Sequence, residues 1–224
     1  IYNPAPYATY INFENNIKIC SSSPERFLNF SKNIIEAKPI KGTIKRGKNI
    51  KEDTELKEEL RNSEKDKAEN LMVVDMLRND LGKLCENGSV VVEKLFNIET
   101  FASVHQTVST IKGKVNSKVN QIDIIKSIFP GGSMTGAPKI RSINILEEIE
   151  RRSRGVYSGI MGYISYSNNF DMNIVIRTCI INNNKLTIGT GGAITILSDE
   201  EAEYQEILLK GSAILKCISN CSIN

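Results

Sequence analysis

A chain of 224 residues, 40% hydrophobic and 25% charged, is apolar enough to resist disorder and long enough to bury roughly 70% of its unfolded surface in one large domain. No apolar run approaches the roughly 20 residues of a bilayer-spanning helix, and a net charge of +3 with basic and acidic residues interleaved excludes a nucleic-acid stripe. The five cysteines (Cys20, Cys85, Cys179, Cys217 and Cys221) are odd in number and lack Cys-x-x-Cys spacing, so they read as reduced structural thiols of a cytoplasmic protein, with no zinc site.

The chain opens on Ile1 and runs through Asn3-Pro4-Ala5-Pro6-Tyr7, an extended turn leading to a strand, with no signal-like segment; it is expected to be an excised portion of a longer protein. Residues 7–13 and 17–21 alternate as a hairpin around Glu14-Asn15-Asn16, and Ser23-Pro24-Glu25 ends it. Pro39-Ile40-Lys41-Gly42-Thr43 then places one lysine in a connection between a rigid proline and a Gly-Thr turn. Lysine is a nucleophile only as the free amine, and nearby cations such as Lys45 and Arg46 would favour that form. Taken alone, Lys41 reads more readily as a solvated lysine in a strand-to-loop connection than as a nucleophile.

Residues 53–84 carry the longest helical signal, two helices broken near Asn62-Ser63 with Ser63 as N-cap. Asp66, Glu69, Val73 and Met76 share one face by three-and-four spacing. Strands are predicted over 90–94 and 102–111, the second carrying His105, followed by a short helix over 122–129 ended by Pro130-Gly131-Gly132. Pro138 suits the first turn of a helix to about Arg152, with Ile140, Ile143, Leu146 and Ile149 facing inward. Gly131 and Gly136 have the separation of a phosphate loop, but Ala137-Pro138-Lys139 stands where Lys-Ser/Thr should follow, which excludes that motif.

Three antiparallel strands are predicted over 157–166, 171–181 and 185–197. The middle one would carry Arg177 on an apolar face, a costly placement unless an anion meets it, whether structural carboxylate or ligand. Gly191-Gly192-Ala193 would interrupt the third and mark a bulge or a close backbone approach. A last helix from Asp199 to about Ile218 aligns Glu203, Glu206 and Lys210. The pairs Asp66/Glu69 and Glu203/Glu206 form an all-oxygen set suited to a hard cation such as Mg2+.

The ordered runs Pro39–Thr43, Lys65–Asp75, Arg78–Leu81, Pro130–Lys139, Ile176–Thr178 and Glu201–Glu206 resemble the chorismate-utilising enzymes over nearly the whole chain, and within them the aminodeoxychorismate synthases. The resemblance implies an α+β fold, the four-layer α/β/β/α sandwich of the anthranilate synthase type lacking its N-terminal part, with residues 1–224 as one chorismate-binding catalytic domain. It implies Mg2+ held by Glu69 and Glu206, with Asp66 and Glu203 behind them, and chorismate held by Tyr157, Arg177, Gly191, Gly192, Ala193, Gly42, Thr43 and Lys210. Lys41 would be a covalent nucleophile, Glu25 the acid for the leaving hydroxyl, and His105 and Ser133 its neighbours. Pro6 and Tyr7 match part of a tryptophan pocket.

The implied partners are chorismate, a glutamine amidotransferase subunit or fused domain supplying ammonia, and tryptophan as a second ligand, in the making of para-aminobenzoate for folate. Lys41 stands where anthranilate synthases typically carry alanine. Anthranilate formation, isochorismate or salicylate synthesis, and a non-catalytic chorismate-binding module are the competing readings. Two departures from the family pattern are Leu197-Ser198 in place of Asp-Ser and Ala193 in place of a glycine, which matters if that backbone needs positive φ.

Overall fold

The computed structural model describes residues 5–14, 16–102, 104–196 and 198–221, and its backbone clusters into two compact units. The first comprises residues 1–25, 154–162 and 173–224, the second residues 26–153 and 163–172. No helix is long and apolar enough to cross a membrane among the described residues.

In the first unit β1 (Tyr7–Asn12) and β2 (Ile17–Ser23) form the expected hairpin, closed by the Phe13 N–H donating to the Ile17 carbonyl. The sheet continues through β10 (Thr178–Asn182) and β11 (Lys185–Ile188) in the order β1-β2-β10-β11, all antiparallel. Helix α5 (Glu200–Cys221) completes the unit, with Glu200, Glu201 and Glu203 in its first turn, where the helix dipole favours negative charge.

The second unit is built on a sheet ordered β5-β7-β4-β3-β9-β8, with β6 added on β7. Strands β3 (Arg26–Ser31) and β4 (Ile34–Ala37) form a two-residue hairpin. Its turn residues Lys32 and Asn33 both have positive φ, the twist that such a hairpin requires. Strand β5 spans Ile40–Lys45, β6 Val91–Thr100 and β7 Val104–Lys114; the boundary between the units falls within β8 (Ile160–Ile164) and β9 (Phe170–Ile174).

Helices α1 (Ile50–Asn62) and α2 (Glu64–Gly82) break where expected, and the Ser63 hydroxyl caps α2 by accepting from the Asp66 N–H at 3.3 Å. Val73, Val74, Leu77 and Leu81 of α2 are buried, as are Val108 and Ile111 of β7. Phe30 stacks on Phe170 with ring centroids 5.5 Å apart. Helix α3 spans Gln121–Ile128 and α4 Lys139–Glu150.

Several expectations are corrected. The strand predicted over 171–181 is two strands in two sheets: β9 ends at Ile174 and β10 begins at Thr178, with Arg177 between them at φ 51°. Val175, Arg177, Cys179 and Ile181 therefore do not share one strand face. The strand predicted over 185–197 stops at Ile188, so Gly191-Gly192-Ala193 is loop, and Leu197 lies outside the described residues.

The α4 face read as inward is not a core face, since Ile140 and Ile149 are 77% and 71% exposed. Strand β6 runs to Thr100, well past the predicted end at 94, through register shifts that interrupt its alternation. The Lys41 connection is itself a strand.

Candidate functional site

In the second unit β5 pairs with β7 as Ile40 opposite Val108 and then Thr43 opposite Gln106, so Lys41 and Gly42 together face Thr107. This bulge breaks the regular alternation and re-aims a side chain. Lys41 Nζ lies 3.7 Å from Glu69 Oε2 on α2, the two side chains only 16% and 13% exposed. Gly42 has φ +82°, and a Cβ built on it would stand 2.7 Å from Asp66 Cγ, so only glycine lets the Asp66 side chain lie against this backbone. Lys41, Gly42, Asp66 and Glu69 thus lie together within one unit.

The charges around Lys41 differ from the expectation that Lys45 and Arg46 would surround it. Its ionic partner is the Glu69 carboxylate. Arg46 donates from Nε and Nη2 to Asp53 (2.7 and 2.8 Å) and from Nη1 to the Phe101 carbonyl (3.0 Å), so its charge is matched by Asp53. Lys45 is exposed at the strand end.

Asp53 is a node that the sequence did not single out. Besides Arg46 it accepts from the Gly47 N–H (2.7 Å) and sits 3.0 Å from His105 Nε2. The Arg46 guanidinium, helped by these donors, holds its carboxyl well below the usual carboxylate range. An ionised Asp53 only accepts, so His105 Nε2 carries the proton and Nδ1, 2.9 Å from Thr100 Oγ1, accepts from that hydroxyl. His105 is 1% exposed with both ring nitrogens engaged. Gly47 next to Asp53 was the available signal: a Cβ on it would stand 2.1 Å from the Asp53 nitrogen.

Ser133 lies in a short 3-10 turn (Gly132–Met134), and its hydroxyl is buried with no hydrogen-bond partner among the described residues. An orphaned buried hydroxyl is a ready donor for a ligand. Thr43 Oγ1 accepts from Gln106 Nε2 at 3.3 Å.

The first unit gathers the residues expected for carboxylate recognition. Arg177, in its left-handed conformation, donates from Nη1 to the Lys210 carbonyl (2.9 Å). Lys210 Nζ donates to the Gly191 carbonyl (3.2 Å) and pairs with Glu206 Oε1 (2.5 Å). Burial lowers the affinity of Arg177 for its proton, and the Glu206 charge opposes that. The resulting cluster is cationic, partly buried and incompletely neutralised.

Tyr157 packs against the glycine loop: a Cβ on Gly189 would meet its ring at 2.4 Å, and one on Gly191 its hydroxyl at 2.8 Å. Gly191, Gly192 and Ala193 all lie outside the positive-φ region, so alanine at 193 is not strained. Glu203 is buried; Oε1 accepts from the Ser198 hydroxyl (2.8 Å), and Oε2 would stand 3.2 Å from a Cβ on Gly192. Glu25 is also buried, its carbonyl accepting from the Ile174 N–H at 3.1 Å. Pro6 lies just before β1 and Tyr7 begins it, its carbonyl accepting from Asn173 Nδ2 (2.9 Å).

Among the described residues no group of three or more His, Cys, Asp or Glu side chains converges to hold a metal ion. Of the carboxylates expected to bind a cation, Asp66 and Glu69 lie in the second unit and Glu203 and Glu206 in the first.

A probable aminodeoxychorismate synthase, chloroplastic, from Oryza sativa subsp. japonica is 56% identical over 222 residues, covering 98% of this chain and 25% of that protein. Aminodeoxychorismate synthase component 1 of Escherichia coli is 43% identical over 214 residues, covering 96% of this chain and 47% of that one. The crystal structure of anthranilate synthase component I from Streptococcus pneumoniae aligns with a TM-score of 0.84 at 34% identity, covering 93% of this chain and 46% of that one. The chain thus has the expected α+β fold of the anthranilate synthase type, and spans between a quarter and a half of the length of these relatives. A family model for chorismate binding enzymes matches residues 1–216, and the chain belongs to that family.

Proposed function

We propose that this chain is the catalytic part of an aminodeoxychorismate synthase, which replaces the C4 hydroxyl of chorismate by an amino group. The observation that carries the reading is the β5 bulge, which turns Lys41 out of the ladder beside Glu69 and over a glycine that Asp66 packs against.

In the proposed sequence Lys41 Nζ, as free amine, bonds to C2 of chorismate while the two ring double bonds shift and the C4–O bond breaks. Glu25 gives a proton to the departing hydroxyl, which leaves as water. Ammonia then bonds to C4 and returns a proton to Glu25, the two ring double bonds shift back, and the C2–N bond to Lys41 breaks, returning the lysine as free amine. Two modest displacements replace one difficult one. Arg177 and Lys210, with the N–H groups of the Gly191–Ala193 loop, bind and orient a carboxylate; the buried Ser133 hydroxyl is free to donate to an oxygen of the substrate.

Asp66, Glu69, Glu203 and Glu206 are the residues that would hold Mg2+, which neutralises and orients a substrate carboxylate when bound. The Lys41–Glu69 and Lys210–Glu206 pairs keep two of these carboxylates charge-matched in the metal-free chain. Ammonia would come from glutamine through an amidotransferase subunit or fused domain; the component 1 in the name of the Escherichia coli relative supports a partner component. The product would lead to para-aminobenzoate and folate. Tryptophan at Pro6 and Tyr7 remains part of this reading, supported by the buried, unpartnered Asn173 Oδ1 beside the Tyr7 contact.

Anthranilate formation is the second reading, favoured by the likeness to an anthranilate synthase component I. The test is the product released from chorismate, ammonium salt and Mg2+ by the full-length parent protein. Aminodeoxychorismate supports the proposal. Anthranilate or isochorismate would replace the reaction while keeping the family, and a folded protein without turnover would favour a binding module.

A further inference from the structure

Ser109 of β7 grips two segments of the second unit at once. Its main-chain N–H donates to the Pro39 carbonyl at 3.2 Å, two residues before Lys41, and its hydroxyl donates to Asn70 Oδ1 at 2.5 Å, one residue after Glu69. The direction of the second bond is fixed by a third. The Phe96 N–H donates to Ser109 Oγ at 3.1 Å, so the hydroxyl hydrogen is left for Asn70. Ser109 and Asn70 are both fully buried, so these bonds form without competition from water. The strand that leads to Lys41 and the helix turn that carries Glu69 are therefore held by one residue, through its main-chain N–H and its hydroxyl, at positions flanking the Lys41–Glu69 pair.

The arrangement leaves polar atoms unsatisfied. Asn70 Nδ2 is buried with no hydrogen-bond partner among the described residues. Thr107 Oγ1 is in the same condition, opposite the Lys41–Gly42 bulge and, by strand alternation, on the same face of β7 as Ser109. An apolar pair of similar shape would fill the space between α2 and β7 without leaving an amide unpaired, so packing alone does not account for Asn70. What an apolar pair would not supply is a directional bond that sets the helix turn at one distance from the strand.

We propose that Asn70 is a positioning residue: through its bond with Ser109 it fixes the spacing between Lys41 and Glu69. The inference rests on the amination reading, in which Lys41 must meet the reacting carbon at one distance. Asn70 does not touch the substrate in this account. Displacements of about an ångström in a reacting group can cost up to about a hundredfold in rate, so small slackness at Ser109–Asn70 is enough to matter.

The test uses the full-length parent protein with Ser109→Ala, which removes the donor at little change of volume, Asn70→Leu, and the double variant. The first readout is independent of activity: acylation of Lys41 by an amine-reactive ester in metal-free protein, measured by peptide mass spectrometry against exposed Lys45 as internal reference. The second is kcat and KM for chorismate amination. Each single variant is expected to raise the Lys41-to-Lys45 labelling ratio severalfold and to lower kcat about tenfold or more with KM little changed, and the double variant should be no worse than the singles, because the two residues act as one unit. An unchanged ratio in both single variants overturns the proposal, whatever happens to the melting temperature. A changed ratio with unchanged kcat overturns its catalytic half. If the unmodified protein does not aminate chorismate, the amination reading fails, and the labelling ratio still decides whether Asn70 positions Lys41.

Discussion

Gly42→Ala is the substitution whose consequences the structure specifies most closely. At φ +82° an alanine stands in the left-handed region, which costs about 1–2 kcal/mol. Its Cβ would also lie 2.7–2.9 Å from Asp66 Cγ, Cβ and Oδ2, a contact that forces the Asp66 side chain off its rotamer for about 0.5–1.5 kcal/mol. The sum, about 2.5 kcal/mol, corresponds to a fall of roughly 5–10 °C in melting temperature for a chain of this size.

Two other glycines separate the contributions. Gly88 has φ +77° and open space around its Cβ position, so Gly88→Ala should lose only the conformational part, about 1–2 kcal/mol. Gly82 ends α2 with no positive φ and nothing within 4 Å, so Gly82→Ala should gain about 0.4–1 kcal/mol. Urea titration of the three variants, with a double-mutant cycle between Gly42→Ala and Asp66→Gly, which removes every clashing Asp66 atom, reads the pieces apart. The cycle should return a coupling of about 0.5–1.5 kcal/mol. Zero coupling, or a Gly42→Ala variant no less stable than Gly88→Ala, would refute the claim that Asp66 is packed on this backbone.

Other predictions concern the supports of the site. Asp53 has a folded-state pKa below its unfolded value of about 3.9, so the unfolded chain binds the proton first on acidification. Its contribution to stability is therefore full above about pH 4 and is lost as pH falls through the lower folded value; acid titration of Asp53→Asn should show a shallower acid limb, and an unchanged limb would contradict the Arg46–Asp53–His105 assignment. Burial pushes the Cys85 thiol up to about 11, so a thiol reagent at neutral pH should modify exposed Cys20 and Cys217 long before Cys85, which should react only on unfolding. Ser63→Ala removes the α2 cap and should cost about 1 kcal/mol in urea, which Ser63→Asp should largely restore.

The parts legible in the sequence are those whose signal is local. The hairpin of β1 and β2, the two helices broken at Ser63 and the short α3 each announce themselves by period, cap or turn residue. The Lys32-Asn33 turn was harder to read because neither residue is glycine, although both adopt positive φ. Strand β6 was cut short because Phe96, at φ 53°, and two register shifts break its alternation. The break at Arg177 left no signal at all. The run from Phe170 to Asn182 has no glycine or proline, and strand periodicity does not state which sheet a strand joins.

The site was legible where residue identity restricts chemistry, in Lys41, the glycines and the helical carboxylates. It was illegible where a partner distant in sequence decides the role. Asp53 looks like one more acid in a charged helix until Arg46, Gly47 and His105 are seen to converge on it. The inward face assigned to α4 failed because three-and-four spacing gives a stripe without saying what covers it.

In the proposed reaction Lys41 bonds covalently to the substrate. The direct measurement is peptide mass spectrometry of the full-length parent protein incubated with chorismate and Mg2+ in the absence of ammonia, beside its Lys41→Ala variant. The account predicts an adduct on the Lys41 peptide with the mass of chorismate less one water, discharged on adding ammonium, and absent from the variant together with amination. Amination that proceeds at an undiminished rate in Lys41→Ala, with no adduct in the unmodified protein, would contradict it.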